Sequence, residues 1–112
     1  MGVEMGIEEK TEIIKREIKR MFEGKKLSEV NEFSDYVKGY DVWFDGKMGG
    51  VCIRVDLELR VNEKPSGVFS HVVCVSQNVI MKMDEIDLWE LAYNIVLHVE
   101  SKMCWEWNVP LC

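Results

Sequence analysis

Apolar and polar residues alternate strictly along residues 51–62, and this is the clearest pattern in the chain. The odd-numbered positions there are all apolar, and the even-numbered ones are nearly all polar. A period of two predicts a β-strand with one face on a core and the other in water. A second alternating stretch over residues 36–44 predicts another strand. The glycine-rich segment 45–50 between them predicts a turn.

The apolar positions also predict how these two strands pair, because burial of one face sets the register. A single register puts all of these apolar side chains on one face: Phe44 opposite Val51, Val42 opposite Ile53, and Tyr40 opposite Val55.

A second turn, over residues 63–67, leads to a third strand over about residues 68–76, for which two registers are open. One buries the odd-numbered positions Phe69, His71, Val73 and Val75. The other buries the even-numbered positions Val68, Ser70, Val72 and Cys74. Burial of the large Phe69 side chain favours the first register.

Helical periodicity appears at both ends of the chain. Residues 7–23 carry one apolar stripe at a spacing of three and four, which predicts an amphipathic helix. A second helix is expected over residues 85–103, with Asp84 as its N-cap and Asp87 three positions later. Residues 27–35 fit either a loop or one helical turn capped by Ser28. Residues 78–83 lead into the last helix, with one more short strand as an alternative.

These elements predict an α+β fold with the order α-β-β-β-α. The sheet is expected to be an antiparallel meander of three strands, or four if a short strand is added, with both helices packed on one face. The length of 112 residues allows one domain. We therefore expect residues 1–112 to form a single compact domain, with residues 1–6 and 108–112 as flexible ends.

Composition narrows the classes of partner. The chain has 20 Asp and Glu against 14 Lys and Arg, a formal net charge of -6. This acidity argues against direct binding of nucleic acid or of an anionic membrane surface, which both need a basic footprint. No signal peptide and no apolar run of membrane-spanning length is recognised. The expected location is the cytoplasm, or the host cytoplasm if a virus encodes the protein.

The four cysteines, Cys52, Cys74, Cys104 and Cys112, are expected to be reduced thiols, because a disulfide framework needs an oxidising compartment. A zinc site is the alternative, on the H-x-x-C spacing of His71 and Cys74. Residues three apart on a strand point to opposite faces, however, which disfavours it. We expect no cofactor and no metal.

Acidic residues are concentrated in residues 27–45 and 84–112. They form either a solvated surface or an acidic patch that engages a basic groove on another protein. The candidate partner-binding carboxylates are Glu29, Glu32, Asp35, Asp41, Asp45, Asp84, Glu85, Asp87 and Glu90.

The last helix carries two apolar faces, separated by a polar stripe that includes His98. Either both faces are buried within the domain, or one of them meets a partner, for which a second copy bound through residues 85–103 is a candidate. Trp89 lies on the second face. Trp105 and Trp107 follow in what is expected to be an extended segment, where they would point the same way, closing over the core or anchoring a partner.

Catalytic patterns are weak. The nucleotide-binding and hydrolase motifs are absent from the sequence, and His98 has no nucleophile placed beside it. A dyad of Cys52 with His71 is the remaining arrangement.

The expected function is therefore a non-catalytic protein-binding module. Its sharpest form is a small acidic inhibitor or adaptor, of the type that viruses and mobile elements encode, acting on a nucleic-acid-handling protein. A homo-oligomeric structural or assembly subunit is the alternative. A thiol or zinc-dependent enzyme is the second alternative.

Overall fold

The computed structural model describes residues 6–112 and has an α+β fold. Along the chain, its elements are α1 (Ile7–Met21), β1 (Lys26–Val30), β2 (Phe33–Asp45), β3 (Gly50–Val61), β4 (Lys64–Ser76), α2 (Gln77–Met81) and α3 (Glu85–Trp107). The order is thus α-β-β-β-β-α-α, with the predicted meander extended by one strand and one short helix.

The four strands form one antiparallel sheet in the order β1-β2-β3-β4. The register predicted between β2 and β3 is confirmed at all three pairs, from Phe44 opposite Val51 to Tyr40 opposite Val55. In β4 the odd-numbered residues from Phe69 to Val75 are half-buried and the even-numbered ones are exposed, which confirms the favoured register.

The fourth strand comes from a segment that the sequence left open. Residues 27–35 form neither a loop nor a helical turn capped by Ser28; they contain most of β1 and the start of β2. The register of β1 shifts between Lys26 and Ser28, which interrupts the alternation that would have revealed the strand. Residues 78–83, where a short strand was the alternative, hold most of α2 instead.

The two long helices, α1 and α3, lie on one face of the sheet and enclose the core. The fully buried side chains include Ile14 and Ile18 of α1, Val55 of β3, and Leu88 and Val99 of α3. Apolar area removed from water is the main stabilising contribution in such a two-layer arrangement. The capping box predicted at the start of α3 is present. Asp87 N–H donates to Asp84 Oδ1 at 2.8 Å, and Asp84 N–H donates to Asp87 Oδ2 at 3.2 Å.

A buried lysine ties α1 to the start of α3. Lys10 is only 6% exposed, and its Nζ donates to the backbone carbonyls of Met81 at 2.8 Å, Met83 at 2.6 Å and Ile80 at 3.4 Å. A buried ammonium group is costly unless hydrogen bonds satisfy it, and here three carbonyl oxygens accept from it. Lys10 therefore fixes the connection from which α3 begins.

The expectation of reduced thiols is wrong for this structure. Cys52 and Cys74 form a disulfide between β3 and β4, and Cys104 and Cys112 form a second one that closes the C-terminal turn. The sequence did not reveal these pairs because they depend on register and on the path of the tail, not on spacing.

The C-terminal segment packs against the domain. α3 continues to Trp107, so Trp105 and Trp107 are helical, and the expected extended segment in which they point the same way is wrong. Leu111, which belongs to the segment expected to be flexible, is 6% exposed and joins the core. Of the other expected flexible end, residues 1–5 lie outside the described residues. Within residues 6–112, no helix combines the length and apolar character needed to cross a bilayer.

Candidate protein-binding surface

The exposed side of α3 carries a row of large apolar side chains near the start of the helix. Ile86 is 67% exposed, Trp89 38% and Tyr93 40%. The rings of Trp89 and Tyr93 stack with their centroids 5.7 Å apart. The Tyr93 ring also contacts the Phe22 ring, with centroids 5.9 Å apart. We call Ile86, Trp89 and Tyr93 the α3 aromatic surface. Contiguous exposed apolar groups of this kind are typical of interaction sites.

The local sequence explains this arrangement. Residues three or four apart lie on the same side of a helix, and positions 86, 89 and 93 have that spacing. Leu88 and Ala92 take the opposite side and are fully buried against the core. Phe22, at the end of α1, is 7% exposed and gives Tyr93 a rigid backing. The second apolar face predicted for the last helix is therefore present and is only partly covered.

Carboxylates border this surface on one side, whereas Arg20 and Glu17 of α1 line a groove with Ile86 and Trp89 on the other side. Asp84, Glu85, Asp87 and Glu90 all belong to the first turns of α3, and the chain has no Lys or Arg between residues 83 and 101. Glu85 pairs with Arg16 of α1 at 3.0 Å, an exposed contact. Asp87 and Glu90 line a shallow groove with Lys82, Met83 and Asn94. Within the described part of the chain, neither of these two carboxylates forms a salt bridge.

The second acidic segment does not form a patch. Glu32 lies in the β1–β2 turn and Asp45 at the far end of β2, about 40 Å away at the usual rise of a strand. Asp41 lies opposite Arg54 on the face away from the helices, and Glu29 pairs with Lys26 at 2.6 Å. The acidic residues of segment 27–45 are therefore far apart in space, because most of this segment is the long strand β2, which runs along most of the molecule.

Asp35 is not on the surface at all, so its choice as a partner-binding carboxylate is wrong. It is completely buried beneath the tail, where its Oδ1 accepts from Ser28 N–H at 2.9 Å and from Ser28 Oγ at 2.8 Å. Its Oδ2 has no hydrogen-bond partner among the residues the structure describes. Ser28 Oγ also lies 2.9 Å from Glu100 Oε2.

Glu100 is a half-buried carboxyl that no pattern in the sequence indicated. Its burial, followed by its hydrogen bond and charge repulsion with Asp35, raises the pKa of Glu100 to about 8. A proton on Glu100 lets the two carboxyl groups share a hydrogen bond instead of repelling each other. The tail packs beside this pair, with Cys112 Sγ 3.6 Å from Glu100 O.

The two histidines come together across α3 and β4. The rings of His71 and His98 have centroids 6.2 Å apart, and Lys102 Nζ lies 3.4 Å from His71 Nε2. The dyad of Cys52 with His71 is not formed, because Cys52 lies on the opposite face of the sheet and is bonded to Cys74. The same disulfide withdraws Cys74 from the zinc alternative. Across residues 6–112, no group of three metal-ligating side chains is found.

The tryptophans of the tail have separate environments. Trp105 is 86% exposed at the end of α3, whereas Trp107 packs its ring over Gly67 of β4. Of the aromatic candidates, Trp89 and Trp105 are thus accessible and Trp107 is a packing residue.

The chain matches no family model, no curated protein and no solved structure.

Proposed function

We propose that this protein is a non-catalytic protein-binding module that docks a basic partner on the α3 aromatic surface. One observation carries the proposal: the exposed Trp89–Tyr93 stack, continued by Ile86 and bordered by unpaired carboxylates. An apolar centre supplies binding energy through burial, and charged groups around it supply specificity and rate of encounter.

The finer proposal is a small acidic inhibitor or adaptor that acts on a nucleic-acid-handling protein. Proteins that bind phosphate backbones present basic grooves, and Asp87 and Glu90 offer two carboxylates to such a groove on one side of a rigid helix. A helix presents its side chains in fixed positions, so little conformational entropy is lost on binding.

A homo-oligomer formed through residues 85–103 is the second candidate, and the same exposed apolar row favours it. Charge disfavours it: a two-fold interface would place the acidic groups of one copy against those of the other. A basic partner neutralises these groups, whereas a second copy doubles them.

The experiment is affinity capture from the native cell, with quantitative comparison of matched variants. Ile86→Ser is compared with Met48→Ser, because these side chains are equally exposed, at 67% and 68%. Glu90→Lys is compared with Glu32→Lys, an exposed carboxylate of the dispersed segment. We expect Ile86→Ser and Glu90→Lys each to capture at least fivefold less of one basic protein than the wild type does. Both control variants should capture as much of it as the wild type. Equal recovery with all four variants would contradict the proposal.

The location expected from the sequence is the cytoplasm, or a host cytoplasm, and the cysteine pairing argues against that expectation. The two disulfides weigh against a strongly reducing compartment, because most cytoplasms keep thiols reduced. The oxidation state of the cysteines in protein taken from its own cell is therefore an informative measurement.

A further inference from the structure

The two edges of the sheet differ in a way that the protein-binding proposal does not use. β1 is a short edge strand of five residues with an irregular register, and it carries Lys26 and Glu29. β4 is a long edge strand of 13 residues, and the chain has no Asp, Glu, Lys or Arg from residue 65 to residue 81. Short length, charge and irregularity are the features that keep an edge from pairing with another chain. β1 is short, charged and irregular, whereas β4 from Gly67 onward is long, uncharged and regular.

The outer edge of β4 has free hydrogen-bonding groups whose positions can be assigned. Gln77 N–H donates to Gly49 O at 2.9 Å, which continues the ladder through the odd-numbered residues of β4. Cys52 and Cys74 have Cα atoms 4.0 Å apart, the close spacing of a pair that is not hydrogen-bonded. The peptide groups of the even-numbered residues Val68, Ser70 and Val72 therefore point away from β3. Among residues 6–112, no other segment pairs with this edge.

The side chains on this edge fit a second copy. Val68 and Val72 are 44% and 46% exposed and lie on the same face, with Ser70 midway between them. In an antiparallel pair centred on Ser70, each Val68 lies directly opposite the Val72 of the other copy. Residue 70 then faces itself as a hydrogen-bonded pair, which is the pairing that outward-pointing peptide groups require. This self-complementarity is what a two-fold interface needs.

We propose that two copies of this chain pair antiparallel through β4, about a two-fold axis at Ser70, and join their sheets into one continuous eight-stranded sheet. The blunted β1 edge then lies at both ends, so the assembly closes at two copies.

Surrounding residues favour this arrangement. Burial, then the nearby Lys102 and His98, lower the pKa of His71, so the centre of β4 stays uncharged at neutral pH. Lys102 and His98 of α3 both lie against His71 on the helix-covered face of β4, so they leave the outward-pointing peptide groups of the edge free.

The area of the contact predicts a weak dimer. Pairing about Ser70 sets residues 67–73 of the two copies opposite each other, a length of about 23 Å. With the 18 Å thickness of the molecule, the contact covers roughly 400 Å² on each copy, which is the size of weak, transient interfaces. The α3 aromatic surface is not used in this contact and stays available to a partner.

Mass and hydrogen exchange test the pairing. Sedimentation over a concentration range up to about 1 mM, at which even a weak dimer forms, should show the mass rising from 13.1 kDa towards twice that value. Amide exchange should then show an alternating, concentration-dependent pattern. The amides of residues 68, 70 and 72 gain protection on association, while those of residues 69, 71 and 73 are protected at every concentration.

Val72→Lys places a charge on the edge, and Val79→Lys on α2 is its control, since these valines are 46% and 47% exposed. We expect Val72→Lys to weaken association at least tenfold and Val79→Lys to leave it unchanged. Ser70→Pro, which removes an outward N–H without touching the β3 ladder, should act like Val72→Lys. A monomeric wild type, larger open-ended species, equal association of the two lysine variants, or a dimer whose residues 68, 70 and 72 stay unprotected would each overturn the proposal. None of these outcomes bears on capture through Ile86 and Glu90.

Discussion

Lys10 shows how one side chain determines where an element begins. Its ammonium group lies in a nearly closed environment and donates to carbonyls on both sides of the α2–α3 connection. We predict that Lys10→Met lowers the free energy of unfolding by about 2–3 kcal/mol, since charge-assisted hydrogen bonds are lost and buried carbonyls are left unpaired. Urea denaturation measures this. Lys19→Met, at an exposed position of the same helix, is the control and should change stability by less than about 0.5 kcal/mol. An equal loss in both variants would contradict the role given to Lys10.

Glu100 gives the molecule a pH dependence of definite sign. Its pKa is about 8 in the folded protein, against an ordinary value of 4.5. Between these values the folded protein holds a proton that the unfolded chain has released, so the free energy of unfolding falls as pH rises. We predict a decrease of roughly 2 kcal/mol from pH 5 to pH 8.5, allowing for partial solvent exposure.

Glu100→Gln should remove this dependence, because an amide donates to Asp35 at every pH. The variant is expected to be more stable than the wild type at pH 8.5, by thermal or urea unfolding. Glu106→Gln, an exposed change on the same helix, should keep the wild-type pH profile. A wild-type stability that rises over this pH window would show that Glu100 is ionised in the folded state.

Elements with a regular pattern could be predicted from the sequence, and irregular ones could not. The alternation in β3 predicted its strand and its register with β2, because a slip of one residue would turn every apolar side chain to water. β1 was missed because it is short and bulged. The helical end of α3 was missed because Trp105 and Trp107 were interpreted as a pair on one side of an extended chain.

The same contrast holds for the candidate site. The acidic start of α3, its cap and its apolar second face are local features, and all could be predicted from residues 84–96. The burial of Lys10 and Asp35 and the partial burial of Glu100 could not be predicted. The contacts of Lys10 and Glu100 are with residues about 70 positions away in the sequence. Charged residues are rarely buried, so composition alone argues against each of these positions.

Contact between α3 and β4 gives a prediction at the level of elements. A Cβ atom at Gly67 would overlap the ring of Trp107. Gly67→Ala is expected to lower the free energy of unfolding by about 1–3 kcal/mol, as for other overpacked contacts. Gly46→Ala, where a Cβ meets nothing within 4 Å, is the matched control. Combining Gly67→Ala with Trp107→Leu should recover part of the loss, and strict additivity of the two changes would contradict the contact.

For the molecule as a whole, the disulfides set how firmly the tail is held. Alkylation under denaturing, non-reducing conditions is predicted to label none of the four cysteines, and labelling after reduction should reach all of them. Replacing both Cys104 and Cys112 by Ser should cost about 2.5 kcal/mol, the value expected for a short closed loop. Labelling of all four thiols without reduction would restore the interpretation of free thiols and with it a reducing compartment.

The whole molecule is an acidic two-layer domain for which we propose two separate contact surfaces, one for a partner on α3 and one for a second copy on β4. Since the two surfaces share no residue, a substitution that abolishes binding at one surface should leave binding at the other unchanged. Val72→Lys is expected to capture the same partner as the wild type, and Ile86→Ser to sediment as the wild type does.

The most direct test of the protein-binding proposal is the affinity of the captured partner for Ile86→Ser/Glu90→Lys, measured by titration calorimetry. Losing one buried apolar side chain and reversing one charge should weaken binding at least about tenfold. Binding should also lose much of its dependence on salt. The matched protein, Met48→Ser/Glu32→Lys, should bind within about twofold of the wild type. Unchanged affinity of the α3 variant, or an equal loss in the matched protein, would contradict the proposal that α3 is the binding surface.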